Sequence, residues 1–508
     1  MIIKKDGILD IILWTGGVIG LMASLTSCSD DDPPAVGPIQ GSDTTHTDTT
    51  TLDDGPVDFS QLGDTYGHLA SPDRVYEWAH YNTHDPSIIR DEKFFYCYST
   101  DVAFGHDIRP GLQIRRSINL VEWEFVGWVF NSLPTQGASF IRQNGGEPNN
   151  GLWAPYAMKA GNEYRVYYSL ASDKPRLSVV GLATADDPKG PFRERGVVVT
   201  SLDNNTVQTN AIDPTVIVDK SSRHWLYYGS AWDGIYLLEL DPDTGLAVRN
   251  EDRGKRIAQR AFTGNTINGN IEGPEIIYNE EFGMYYLFIA YDWLETKYNV
   301  RVGRSENPNG PFYDYPEQNM NQENDDIPMI LAPYQFDGHA GWQGVAHPSV
   351  FKHGGQYYMA HQGRPGVNPF YMVLHVRQVH WTEDGWPLVS CQRYAAEEET
   401  PVVESELIGT WEQIVLGYEV VPGFAETQIS PDFQTSVALT FDAEGTINGD
   451  ENNTWAYEAP WLTLHWGNTS IDQLYVERGR DWENQVGSTV LFTGLNQEGT
   501  AIWGKKTE

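Results

Sequence analysis

A chain of 508 residues is too long for one ordinary core, so a large domain and a smaller one are expected. A hydrophobic share of 40% and an aromatic share of 12% are enough to fill both, which excludes a wholly disordered chain. With 34 Lys and Arg against 70 Asp and Glu the formal charge is −36, a field that repels nucleic-acid phosphates and anionic headgroups and leaves a neutral or cationic partner, which a neutral polysaccharide fits.

The chain opens with Lys4 and Lys5, an apolar run over residues 11–25, and then Leu25-Thr26-Ser27-Cys28. This order resembles a bacterial lipoprotein signal, which implies a signal peptide over 1–27 and lipidation of Cys28. The competing reading, a transmembrane helix, suffers from the shortness of the run and from Asp6 and Asp10 upstream of it. Ser29-Asp30-Asp31-Asp32 resembles the surface-export signals of glycan-degrading Gram-negative bacteria, so an outer-membrane lipoprotein displayed at the cell surface is expected. Residues 28–75 are rich in Asp, Thr, Gly and Pro and bury too little apolar surface to offset their ordering entropy, so they read as a flexible tether. The other two cysteines, Cys97 and Cys391, form no CxxC spacing and no disulfide framework.

A repeat fills the expected catalytic domain, 76–396. Pro86, Pro155, Pro214, Pro274 and Pro348 recur roughly 60 to 75 residues apart, and each opens a short alternating apolar run. A polar turn follows each run, and then an aromatic strand: 94–98, 164–168, 224–228, 284–288 and 356–359. Units of this length, β-branched and aromatic, predict about four short strands each, hence an all-β five-bladed propeller in which stacked sheets leave only short edges. A sandwich of unrelated hairpins is the alternative. An acidic linker near 397–406 precedes a second domain, 405–508, whose short strands and Gly and Asp turns predict a small antiparallel β-barrel or sandwich.

The residue before each repeat proline stands where the innermost strand begins, so all five should converge on the axis. They are Asp85, Ala154, Asp213, Gly273 and His347, with Glu272 one residue upstream of Gly273. Asp-Pro alone reads as a turn. Three acids at one phase of a repeat read as a site, since carboxylates clustered in a cavity are costly without a purpose. Cleaving a glycosidic bond needs a proton for the leaving oxygen and a nucleophile at the anomeric carbon; a third carboxyl can raise the acid's pKa by like-charge repulsion. Asp241-Pro242-Asp243-Thr244-Gly245 lacks the closing acid of a calcium loop and reads as a turn. P-loop, HExxH and nucleophile-elbow strings are absent from the sequence.

The strings Thr83-His84-Asp85-Pro86-Ser87-Ile88-Ile89, Leu152-Trp153-Ala154-Pro155, Asn210-Ala211-Ile212-Asp213-Pro214 with Tyr228-Gly229-Ser230, and Ile271-Glu272-Gly273-Pro274 resemble those of glycoside hydrolase family 43, above all its endo-α-1,5-L-arabinanases. The resemblance runs from about residue 80 to 387. Gly409-Thr410-Trp411-Glu412 and residues 496–504 resemble the accessory barrel of the larger extracellular arabinanases, which favours arabinan over xylan. It implies an inverting hydrolase of α-1,5-linked arabinan and arabino-oligosaccharides, endo-acting and monomeric. Asp85 would be the general base, Glu272 the general acid and Asp213 the pKa modulator. Glu275 is the rival acid, but it follows the proline and alternates onto the strand with Ile277.

The resemblance also implies a calcium ion at His347, coordinated largely through water; calcium prefers oxygen, so a hydrogen-bonded channel histidine is the alternative. Expected substrate-binding residues are His84, Trp153, Asn210, Ser230 and Trp232, the two tryptophans as stacking platforms, although most of the 17 Trp should be core. Two departures bear on the subsites and the metal shell: Tyr156 follows Trp-Ala-Pro where the family commonly has an acid, and Ala346 precedes His347 where Gly is frequent. Rival functions are an exo-arabinanase, α-L-arabinofuranosidase or β-xylosidase on the same scaffold, a non-catalytic carbohydrate-binding lipoprotein, and a protein-binding propeller.

Overall fold

The computed structural model describes residues 57–62, 80–103, 108–260, 262–263, 266–267, 269–323, 327–397, 400–417 and 428–507. The expected signal peptide, Cys28 and the expected tether lie outside the described residues, except for 57–62. Those six are docked: the Phe59 ring meets Trp482 edge-on at 5.5 Å, and Leu62 is buried beside Val121 and Ala395.

Alternating and aromatic runs give antiparallel sheets in which most strands are covered on both faces, as stacked sheets require. The first sheet holds Ser87–Asp91, Phe94–Ser99, Gln113–Ser117 and Glu124–Trp128, and the second Trp153–Ala160, Glu163–Leu170, Ser178–Ala185 and Arg193–Ser201. The third holds Thr215–Val218, His224–Tyr228, Ile235–Leu240 and Lys255–Ala258, and the fourth Ile271–Asn279, Met284–Tyr291, Asn299–Ser305 and Met329–Leu331. Five equal blades are not what is seen. The fifth repeat, Ser349–His353, Gln356–Pro365, Val373–Trp381 and Pro387–Val389, belongs to a seven-stranded sheet. The cause is strand length. Gln356–Pro365 has 10 residues and its inner partner Ser349–His353 only 5, so the far end presents an open edge. Trp342–Gln343 pairs on that edge, followed by Tyr334–Gln335 and, in parallel, Gln434–Thr435 from the C-terminal region. A nine-residue helix not foreseen in the sequence, Thr135–Gln143, packs on the second sheet; the Glu194 carboxylate accepts the Gln136 and Gly137 amides at its positive end.

The five inner strands neighbour one another in a propeller-like ring, each in contact with the next and Ser349–His353 returning to Ser87–Asp91. Side chains just past the repeat prolines stitch them together. The Ala157 amide donates to Ser87 Oγ (3.0 Å) and the Tyr156 hydroxyl to the Val216 carbonyl (2.7 Å). Glu275 accepts from Thr215 Oγ1 (2.8 Å) and from the Val350 amide (3.0 Å), and the Ile88 amide donates to Ser349 Oγ (3.1 Å). Each such bond contributes about 1 kcal/mol, and leaving one of these buried partners unmade would cost more.

Beyond the propeller, Gly409–Val415, Val437–Phe441, Thr446–Ile447, Asp450–Glu458, Trp461–Trp466, Ser470–Asp481, Val486–Asn496 and Ala501–Lys506 form a closed barrel, its first strand paired with its last. Trp411, Phe441, Leu464 and Phe492 fill its interior. Trp503, Ile414 and Leu495 share a core with Tyr334, Trp342 and Leu388, so barrel and propeller are joined by apolar packing.

Candidate active site

The five pre-proline residues share one backbone state. Asp85, Ala154, Asp213, Gly273 and His347 have φ of 50°, 24°, 58°, 55° and 55°. A residue before proline normally goes extended, and a left-handed non-glycine residue costs about 1–3 kcal/mol. Repetition of this strained state at every inner-strand entry turns the side chains into the axial pit. At Gly273 a side chain would also be crowded, because a Cβ there would stand 3.0 Å from His347 Nδ1.

Asp85 is buried and surrounded. Thr100 Oγ1 donates to its Oδ2 (2.6 Å), His84 Nδ1 lies 2.7 Å from the same oxygen, and His347 Nδ1 lies 2.9 Å from Oδ1. Its backbone amide donates to Gln362 Oε1 (3.0 Å). Burial opposes its charge, but His347 and His84 outweigh it and hold the carboxyl well below the usual carboxylate range. His347 answers in kind: burial works against its proton, yet Asp85, then Asp213 and Glu272, push it up to about 9. Asp213 behaves oppositely. Burial, with the charges of Glu272 and Asp85, drives it well above the usual range against the pull of His347. Its amide donates to Ser169 Oγ (3.0 Å), and its Oδ2 accepts the Gly273 amide (3.1 Å).

Glu272 is half-buried, with each oxygen held by a hydroxyl: Ser230 Oγ donates to Oε2 (2.7 Å) and the Tyr298 hydroxyl to Oε1 (2.8 Å). Glu275 lies apart from it in the stitching layer, with both oxygens engaged by Thr215 and Val350; burial pushes it up to about 7.

The residues expected to bind substrate divide. His84 is buried, with Nε2 2.7 Å from Arg364 Nη2 and Nδ1 on Asp85, so it supports the carboxylate. Ser230 is on Glu272. The Asn210 amide donates to the Ser230 carbonyl (3.2 Å), keeping Ser230 in place. Trp153 is half-buried beside Ala154, and Trp232 is half-buried with the Arg176 guanidinium 4.6 Å over its ring. The 241–245 segment is a turn, as read: Asp241 Oδ1 accepts the Thr244 amide (2.8 Å) and the Gly245 amide returns to the Asp241 carbonyl (2.8 Å). Thr100, Ser169, Tyr298, Gln362 and Arg364 were not singled out in the sequence. Thr100, Ser169 and Gln362 share a signal, each being a polar residue at the returning end of an apolar second strand.

The arrangement supplies one carboxylate, Asp85, held well below its usual range, a second, Asp213, raised well above it, an imidazole pushed up to about 9, and the Glu272 carboxyl held by two hydroxyls, a set of groups suited to glycosidic cleavage. The sequence matches glycosyl hydrolases family 43 over residues 79–387 and a C-terminal lipocalin-like domain over 391–504. It is similar to the extracellular endo-α-(1→5)-L-arabinanase of Thermotoga petrophila, 28% identical over 87% of this chain and 96% of the relative. Extracellular endo-α-(1→5)-L-arabinanase 2 of Bacillus subtilis is 27% identical over 84% and 93%. The crystal structure of endo-1,5-α-L-arabinanase from Thermotoga petrophila superposes with a TM-score of 0.72 at 26% identity, covering 85% of this chain and 99% of that one. The fold, the axial carboxylates and the matched length agree: the chain belongs to glycosyl hydrolases family 43.

Proposed function

We propose that this protein hydrolyses α-1,5-linked arabinan by inversion, cutting within chains. The observation that carries the reading is the meeting of Asp85, Asp213, Glu272 and His347 at one axial pit. Support for the substrate comes from two relatives named endo-arabinanases, whose similarity extends over the C-terminal domain as well as the propeller. Asp85, ionised, takes a proton from the attacking water; Thr100 and the two imidazoles occupy three directions about its oxygens and leave a fourth for that water. Glu272 delivers a proton to the departing sugar oxygen. Asp213 is assigned as the modulator of that acid: burial and the charges of Glu272 and Asp85 raise its own carboxyl, and its Oδ2 fixes the Gly273 amide beside the acid. Trp153 and Trp232 are assigned as stacking surfaces at the rim.

The fifth repeat completes a five-bladed ring in this reading, supported by the return of Ser349–His353 to Ser87–Asp91 and by the stitching bonds. The catalytic domain is taken as 76–396 and the accessory barrel as 405–508. Among the described residues no group of three or more His, Cys, Asp and Glu side chains could hold a metal ion. A calcium ion therefore fits only as a hydrated one. His347 would hold it through an Nε2 that has given up its proton, with Nδ1 remaining on Asp85, and the ion would replace the positive charge of that proton beside the base. The protein is further assigned as a monomer anchored to the outer membrane through a lipid on Cys28, which radiolabelled palmitate would mark in the wild type but not in Cys28→Ser.

The test is product analysis on linear arabinan, branched arabinan and xylan. Early release of mixed arabino-oligosaccharides from linear arabinan is expected. Arabinose alone would end the endo assignment, and binding without turnover would favour a carbohydrate-binding lipoprotein.

A further inference from the structure

The loop that carries Tyr298 is gripped by the C-terminal domain. Tyr298 is buried and donates to Glu272 Oε1 (2.8 Å). Its amide and that of Thr296 both return to the Trp293 carbonyl (3.0 and 3.2 Å), so residues 293–298 form one tight turn, which the Gly344 amide ties down through the Thr296 carbonyl (2.7 Å). The two residues before Tyr298 reach out of the propeller. Thr296 Oγ1 donates to the Gln428 carbonyl (2.5 Å), and Lys297 forms an ion pair with Asp432.

Gln428 and Asp432 lie on a segment, 428–436, that leads into the second barrel strand, Val437–Phe441. This arm is itself fixed on the propeller. Gln434–Thr435 pairs in parallel with Tyr334–Gln335, and the Phe433 ring fills the space that side chains at Gly341 and Gly366 would occupy. At its barrel end, Ser436 Oγ donates to Glu412 Oε2 (2.6 Å), and the same oxygen accepts the Asp337 amide (2.8 Å).

We propose that Tyr298 is a positioning residue for the proton donor, and that the 428–436 arm of the C-terminal domain sets its place through Thr296 and Lys297. The inference rests on the reading of Glu272 as that donor. It gives the barrel a share in the active site: the carboxyl that must meet the leaving oxygen is aimed from one side by Ser230, a propeller residue, and from the other by a hydroxyl whose loop is clamped by the second domain. A carboxyl free to rotate would spend less time in the geometry that proton transfer requires.

Leaving-group dependence separates aiming from general damage. A sugar alkoxide must be protonated as it leaves, whereas a dinitrophenolate need not be. Full-length wild type, Glu272→Gln, Tyr298→Phe and the pair Thr296→Val with Asp432→Ala are compared on linear arabinan and on a dinitrophenyl α-L-arabinotrioside. For Tyr298→Phe, kcat on arabinan should fall about 10-fold, the upper worth of one hydrogen bond to a neutral group. On the aryl substrate it should fall less than about 3-fold, since general-acid help is not needed there. The arm pair should show the same selectivity at about 3- to 10-fold on arabinan. Equal losses on both substrates for Tyr298→Phe or for the arm pair, while Glu272→Gln remains selective, would overturn this inference alone. Equal losses for Glu272→Gln would overturn the proton-donor reading and this inference with it.

Discussion

Two acids stand three residues apart on one strand, Glu272 and Glu275, and their surroundings differ in kind. Glu272 lies on the pit side of Pro274, half-buried, with each oxygen held by a hydroxyl from another loop. Glu275 lies on the core side, buried, and joins the third inner strand to the fifth through Thr215 and Val350. The same contrast runs round the ring. Residues before the prolines are left-handed, charged or small, and face the pit; those after them, Ser87, Tyr156, Thr215, Glu275 and Ser349, have their polar groups consumed by neighbouring strands. Residue type alone assigns neither role. Phase relative to the proline does, because side chains alternate along a strand and the left-handed entry marks where strand geometry begins.

Substitutions can break that contrast or sharpen it. The largest effect is expected for Asp85→Ala, which removes the proposed base: kcat on linear arabinan should fall about 10³- to 10⁴-fold with KM little changed, measured by reducing-end release. Asp213→Asn should lower kcat about 100-fold, because an amide cannot take up or release a proton beside the acid as the raised Asp213 carboxyl can. His347→Gln should cost about 10-fold, one charge-assisted bond. Its signature is the acid limb: without the cation, Asp85 rises towards its ordinary range, is protonated over more of the acid side, and the limb moves to higher pH.

The smallest effect on turnover belongs to the core-side layer. Glu275 has its carboxyl raised from 4.5 to about 7 in the folded chain, so between those values the native state holds a proton that the unfolded chain has lost. The stability this group adds is complete below about 4.5 and is lost as pH rises to about 7. Glu275→Gln has nothing to ionise, so the difference in Tm between variant and wild type should move in the variant's favour from pH 4.5 to 8. A pH-independent difference would contradict the assignment.

Much of this was legible in the sequence because the decisive features repeat. Five prolines in phase, each followed by a turn and an aromatic strand, located the inner strands, and with them Asp85, Asp213, Glu272 and His347. What was not legible depends on single contacts. The merging of the fifth repeat into a larger sheet turns on two-residue strands, Trp342–Gln343 and Tyr334–Gln335, and on Gln434–Thr435 from beyond the first barrel strand, which no periodicity reports. Tyr298 is one of 27 tyrosines and is distinguished only by the oxygen it reaches. His84 and Ser230, expected on the sugar, are also in contact with Asp85 and Glu272, and no residue pattern reports those contacts.

The most direct test sets the two glutamates side by side: initial rates on linear arabinan for Glu272→Gln and Glu275→Gln at the wild-type optimum pH, with folding checked by Tm. A loss of about 10²- to 10⁴-fold for Glu272→Gln, beside less than about 2-fold for Glu275→Gln, is the predicted result. The reverse order, or equal losses in two well-folded variants, would contradict the claim that position before the proline selects the acids that do the chemistry.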